Sequence, residues 1–273
     1  MSGETKSLGQ KDFADRFYTK AEVAKSCVVF ARDHIKNGII HFIEPSAGGG
    51  AFLPYLDNNY DAFDILPQNE NVQTADWFEV DKSKLIHKDE VNVVIGNPPF
   101  GVQSTLAIRF FNESAFADYI AFIVPKSFKK PSVQNKLSLN FELVDEIDLP
   151  KNSFVFKGED YDVNCVFQVW RKTETPREKV KSRTTSPYFD FTKDKSKATC
   201  SVRRVGAAAG KASTNLNFSE QSNYFLINKT NLTDEQFIDF LNSLAHDRAA
   251  NAVGPKSLSK SELVEDFEAN YGG

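Results

Sequence analysis

Apolar residues in this chain fall into short runs, several closed by glycine, proline or an acid, and separated by stretches with helical spacing. Runs at 39–43, 60–65, 91–95, 119–124, 141–149 and 163–170 read as strands, with a weaker apolar–polar stretch around 71–74. Between them, residues 20–35, 52–56 and 105–116 carry apolar positions at helical intervals. Thr19 is placed to cap the first helix, with Glu22 three residues on completing a capping box. This alternation predicts an α/β fold with a Rossmann-like, seven-stranded, mostly parallel sheet. The remainder predicts a small α+β region: a strand at 223–228, a helix at 233–244 capped by Thr233 and Gln236, and a short helix at 257–267 capped by Ser257 or Ser259.

Composition and charge narrow the partners. Hydrophobic residues make up 41% of the 273, enough for a substantial core. No run of 18 apolar residues offers a membrane span, and the polar N-terminus has no signal-peptide core. Three dispersed cysteines fit a reducing interior, so the expected location is cytoplasmic or otherwise intracellular. The four histidines are equally scattered and predict no metal site. The formal charge of −4 hides an asymmetry: residues 171–213 hold twelve Lys/Arg against four Asp/Glu, a net +8, leaving −12 for the rest. Such a block points to a polyanion partner or to a solvated linker. The predicted organisation is a tail at 1–12, a main domain at 13–172, and a basic linker with a small recognition region at 173–273.

The chemistry concentrates where the 91–95 run ends in Gly96-Asn97-Pro98-Pro99-Phe100. Two prolines lack N–H groups and fix φ, so the strand must stop in a stiff turn. That turn presents the Asn97 amide, the Pro98 carbonyl and the Phe100 ring. An exocyclic amine on a nucleobase is a poor nucleophile because its lone pair is delocalised. Two acceptors on its two N–H groups favour a pyramidal nitrogen, and an aromatic ring holds the base by stacking. Upstream, the 39–43 run leads into Glu44-Pro45-Ser46-Ala47-Gly48-Gly49-Gly50, an acid followed by a glycine-rich turn. This is the nucleotide-binding arrangement of doubly wound sheets.

Together these stretches resemble the S-adenosylmethionine-dependent N6-adenine methyltransferases, and the motif order is similar to the gamma class. The likeness covers about residues 13–172, with Ala or Ser where the family's loop has its first glycine. It implies a class I methyltransferase fold, S-adenosyl-L-methionine as cofactor, and methyl transfer to N6 of an adenine flipped out of DNA. The implied cofactor residues are Tyr18 and Thr19, the loop Glu44, Pro45, Ser46, Ala47 and Gly48, then Asp64 (or Asp61) for the ribose, Ile65 against the adenine, Asp76 for its N6, and Trp77 or Phe78 on its ring, with Asn97 at the methyl end. Catalysis falls to Asn97, Pro98, Pro99 and Phe100. Phe154 or Phe156 would sandwich the extruded base from the other side.

Two arginines and a lysine (Arg203, Arg204, Lys211) flank a small-residue turn and are the expected contacts to a nucleic-acid backbone. Cytosine-N4 enzymes usually carry Ser at the first motif position. The related glutamine methyltransferases would not need a basic block. RNA adenine and a non-catalytic, nucleic-acid-binding partner subunit are the alternatives. The expected assembly is a monomer or weak dimer, with room for a separate specificity partner and no membrane.

Overall fold

The computed structural model describes residues 17–35, 38–251 and 255–271, so the expected tail at 1–12 lies outside the described residues. The chain divides into two compact units, residues 1–125 with 136–178, and residues 126–135 with 179–273. The division falls six residues beyond the boundary expected at 172, and residues 126–135 group with the second unit rather than with the main domain.

In chain order the first part runs β1 (Tyr18–Thr19), α1 (Ala21–His34), β2 (Ile40–Glu44), β3 (Tyr60–Asp64), β4 (Gln73–Thr74), β5 (Val91–Gly96), α2 (Thr105–Glu113), β6 (Tyr119–Pro125), α3 (Pro131–Gln134), β7 (Phe141–Asp148), β8 (Phe154–Phe156), β9 (Glu159–Tyr161) and β10 (Cys165–Lys172). Seven of these strands form one sheet in the order β4-β3-β2-β5-β6-β10-β7. Only β10 is antiparallel to its neighbours. This is a Rossmann-like, doubly wound α/β sheet. Its central strands are apolar on both faces: Val93, Val94 and Ile95 are wholly buried, and β6 is buried from end to end. Continuous burial is what a parallel strand covered on both sides requires. Helix α1 buries Val23, Ala24, Cys27, Val28 and Ala31, one stripe at helical spacing.

The strand order reverses between β2 and β5. In open α/β sheets a crevice opens at such a point, beyond the carboxyl ends of the strands. Glu44 ends β2 and Asn97 follows β5, so both motifs flank that crevice.

Two local expectations fail. Thr19 caps nothing: α1 starts after Lys20 without a side-chain cap, and Thr19 belongs to β1, which pairs with β8 through Tyr18↔Val155 and Thr19↔Phe154. The glycine loop does not run into a helix either. Residues 52–56 yield only a 3-10 turn, Leu53–Tyr55, with Pro54 in its first turn. Asp57 and Asn58 then turn left-handed and end it.

The second unit holds β11 (Phe189–Thr192), β12 (Cys200–Arg203), β13 (Ala212–Ser213), β14 (Asn223–Asn228), α4 (Asp234–Ser243) and α5 (Lys260–Tyr271). The strands form an antiparallel sheet ordered β11-β14-β12-β13. Strand β11 lies in what reads as linker. Helix α4 carries the expected capping box of Thr233 and Gln236. Helix α5 starts from Ser259, whose hydroxyl accepts from the Glu262 amide while Glu262 Oε2 accepts from the Ser259 amide. Phe189, Phe237, Leu241, Leu263 and Phe267 are wholly buried in this unit's own core. Lys130, in the inserted segment, donates to the Ser257 carbonyl and pairs with buried Glu262 at 3.1 Å.

Candidate active site

Three consecutive residues near the start of the described chain span both sequence motifs. Phe17 packs edge-on against Phe100, with ring centroids 5.4 Å apart. The Tyr18 ring lies over the glycine loop, so close that a Cβ added to Gly48 would stand 3.2 Å from it. Thr19 Oγ1 accepts a hydrogen bond from Asn97 Nδ2 at 3.1 Å. Strand pairing with β8 fixes this segment in place.

The Asn97–Thr19 bond decides which way the amide points. With Nδ2 spent on Thr19, Oδ1 is the remaining acceptor, and it is buried with no partner among the described residues. A buried, unmatched acceptor costs about 1–3 kcal/mol, so its persistence here marks a position made for a donor. The backbone of the turn is held as well, since Ser46 Oγ donates to the Asn97 carbonyl at 3.3 Å. Pro98 is buried and Pro99 exposed.

Glu44 is 2% exposed, and its Oε2 has no partner among the described residues. It can lie at the end of β5 because residue 96 is glycine: a Cβ there would approach the Glu44 side chain to 3.2 Å, and φ is +146°. Burial first, and then the nearby Asp64, pushes its carboxyl up to about 8. Asp64 ends β3 and accepts from the amides of Gly48 (2.9 Å) and Leu66 (2.8 Å). The loop is tied to the same strand by Ala47 N–H donating to the Phe63 carbonyl at 2.8 Å. Pro45, Ala47 and Gly48 are buried, Ser46 and Ile65 half-buried. Glu44 and Asp64 therefore form a buried acidic pair beside a backbone cradle, a setting that favours a cationic ligand carrying ribose-like hydroxyls. Asp61 points elsewhere, to His41.

Asp76 caps its own turn by accepting from the Phe78 amide at 2.9 Å, and Ala75 N–H reaches the Asp64 carbonyl, so the two acids are neighbours in the fold. Trp77 is a core residue, 2% exposed, packed near Phe63 and Phe116 with the Lys82 ammonium 4.3 Å over its ring. Phe78 meets Phe110 edge-on and carries the Arg109 guanidinium over its ring. Of the two base-sandwich candidates, Phe154 is wholly buried against Phe17, whereas Phe156 is half-buried beside exposed Tyr161. The aromatic cluster thus comprises Phe17, Phe100, Phe154, Phe156 and Tyr161. Phe17 and Tyr161 were missed in the sequence because only the pairing of β1, β8 and β9 brings them there.

The basic block fares differently. It is divided between the two units. Arg203 folds inward, donating to the Val205 carbonyl and Ser222 Oγ. Arg204 lies over the Tyr224 ring at 5.0 Å. Lys211 is exposed and shares the rim of a cleft with Lys256 and His246. Arg203 is thus a structural residue of its turn, and the exposed cations there are Lys211 and Lys256.

In sequence the chain matches no protein-family profile and no curated protein. Solved structures similar to it include a modification subunit assigned to a type I restriction enzyme of Vibrio vulnificus (16% identity, 61% of this chain and 46% of that one, TM-score 0.44). Another is a type I restriction-modification methyltransferase subunit from Streptococcus thermophilus (15%, 83% and 53%, TM-score 0.40). A third is a protein assigned as an RNA methyltransferase from Pyrococcus horikoshii (14%, 61% and 91%, TM-score 0.41). The chain spans about half the length of the two restriction-type structures.

Proposed function

We propose that this protein transfers a methyl group from S-adenosyl-L-methionine to the N6 amine of an adenine extruded from nucleic acid, with DNA the favoured substrate. The observation that carries the reading is the Asn97 amide, its nitrogen engaged by Thr19 and its oxygen buried and unmatched on a double-proline turn. The residues present fit the cofactor. Glu44 has an unmatched carboxylate oxygen for a cationic group, Asp64 can take the ribose hydroxyls, and Gly48 leaves the space a Cβ would fill. When bound, the cofactor supplies an electrophilic methyl on a sulfonium.

Asn97 Oδ1 and the Pro98 carbonyl each accept one N–H of the target amine, which frees the nitrogen lone pair for attack. Phe100 holds the base by stacking, with Phe156 and Tyr161 on the opposite side of the aromatic cluster. Once methylated, the amine is cationic and strongly acidic, so its proton leaves without a dedicated base. A base paired within a duplex cannot reach this turn, so the reading requires base flipping. In the second unit, Lys211 is the most exposed of the candidate phosphate contacts. The proposal leaves room for a separate specificity subunit.

The test is methylation with labelled cofactor on double-stranded DNA, single-stranded DNA and RNA oligomers, followed by digestion to nucleosides. The expected product is N6-methyldeoxyadenosine. Asn97→Ala should lower turnover by at least about 10²-fold, as for loss of one preorganised hydrogen-bond partner, with cofactor affinity nearly intact. Label on RNA adenine would move the substrate to RNA. Cofactor binding without transfer to any of these substrates would favour a non-catalytic subunit, and wild-type turnover by the Asn97 variant would remove the mechanism.

A further inference from the structure

At the opposite end of the same strands lies a second cluster with no part in the proposed reaction. His41 and Asp61 are the second residues of β2 and β3, three residues before Glu44 and Asp64. That separation is roughly 10 Å along an extended strand. The scattered histidines of the sequence do not stay apart: His41 and His87 stack with ring centroids 3.8 Å apart. Nitrogen or oxygen donors of His41, His87 and Glu90 all lie within 4.8 Å of one another.

The hydrogen bonds around His41 assign its nitrogens. Nε2 faces Asp61 Oδ2 at 3.0 Å, so Nε2–H donates there. Nδ1 then points at two oxygens, Asn59 Oδ1 at 3.2 Å and Glu90 Oε2 at 3.7 Å. The Asn59 amide cannot turn to help, because its Nδ2 already donates to the Ile40 carbonyl (2.9 Å) and to Glu90 Oε2 (3.0 Å). A bare lone pair aimed at two oxygens is repulsive, so the point calls for positive charge: a ring proton donated to Asn59 Oδ1 supplies it in the metal-free protein, and a metal cation can take that proton's place. His87 is held next to it by a turn whose backbone exchanges hydrogen bonds with the buried Asn92 side chain.

We propose that His41 Nδ1, a ring nitrogen of His87 and Glu90 Oε2 bind a divalent transition-metal cation of borderline softness, best matched by Zn²⁺. Two imidazoles and a carboxylate are a donor set that suits zinc, while Mg²⁺ and Ca²⁺ prefer all-oxygen sites. Asp61 on the far nitrogen of His41 is the outer-shell carboxylate that typically fixes the tautomer of a ligating histidine. With metal–ligand bonds near 2.0–2.1 Å, tetrahedral donors sit about 3.3 Å apart, so the cluster needs to tighten by at most about 1.5 Å, and the half-buried His87 ring must turn out of its stack on His41 to aim its lone pair at the same point. His87 and Glu90 are half-buried, which leaves an open side for entry. The role is structural: the cation ties β2 to the turn that leads into β5.

The test uses tag-free full-length protein stripped with a chelator, then titrated with Zn²⁺ by calorimetry and followed by thermal melting. One site should appear, with a higher Tm in Zn²⁺ than in chelator and no response to Mg²⁺. His87→Asn and Glu90→Gln should each weaken binding at least about tenfold, as expected when even an outer-shell partner is lost. Both variants should keep the melting profile of the chelated parent, which guards against misfolding. Absence of Zn²⁺ binding overturns the proposal. So does binding undiminished in both variants, which would assign the zinc to the other histidine–carboxylate pairs, His34 with Asp145 or His246 with Asp266.

Discussion

Glu44 makes the residue scale informative because a buried carboxyl titrating near 8 couples the site to pH. Its folded value lies above its unfolded one. Between about 4.5 and 8 the unfolded chain loses this proton while the folded protein keeps it. Stability from this group is therefore present at low pH and lost as pH rises, at up to about 1.4 kcal/mol per pH unit. Glu44→Gln should flatten that slope in urea melts taken between pH 5 and 8. A cationic ligand beside Glu44 favours the ionised form, so cofactor binding at pH 7 should release a proton, detectable as a buffer-dependent calorimetric enthalpy. An enthalpy independent of buffer would place the charge elsewhere. Thr19 belongs to the same scale. Thr19→Val removes the acceptor for Asn97 and should cost about 0.5–1.5 kcal/mol in turnover, with cofactor affinity little changed and rescue by Thr19→Ser.

Among elements, the short link from β2 to β3 departs furthest from expectation. An apolar stretch with Phe52, Leu53 and Leu56 buried has the composition of a helix start, but Pro54 and the left-handed Asp57 and Asn58 leave room for one turn only. The loop's conformation then depends on its own backbone and on Asp64. Gly48 has φ +52° and sits under Tyr18. Gly48→Ala should cost about 1–3 kcal/mol of stability and weaken cofactor binding, read by thermal melting and calorimetry. The strands β2, β3, β5 and β6 were legible because apolar runs ended at glycine, proline or an acid, and β14 because its apolar run is bracketed by asparagines. So was α4, from a local cap. Thr19 was misread as a cap because its partners are 78 residues away at Asn97 and across β8. The Phe-Asp-Phe-Thr alternation of β11 was hidden by the lysines around it.

For the whole molecule, two features of charge and connectivity escaped the sequence. The +8 block, contiguous in sequence, is divided between two units and much of it is locally engaged: Arg171 with Glu142, Arg183 with Glu268 and Lys195 with the Phe218 carbonyl. Local charge counts cannot show where side chains turn. The second unit also begins before the first is finished, through residues 126–135. Lys130→Met should strand buried Glu262 and destabilise this unit by about 3–5 kcal/mol, the usual cost of removing one partner of a buried pair. Separate unfolding of the two units in a calorimetric scan would localise the loss to one transition.

The same insertion sets an order of events during synthesis. Lys130 emerges from the ribosome 132 residues ahead of Glu262. At about 5–20 residues per second its ammonium waits roughly 7–26 s for that carboxylate. Over that interval the main sheet can complete itself, because its last strand ends at Lys172. The Lys130 end of the segment at 126–135 is then secured last, after Asn135 has already exchanged hydrogen bonds with Val180.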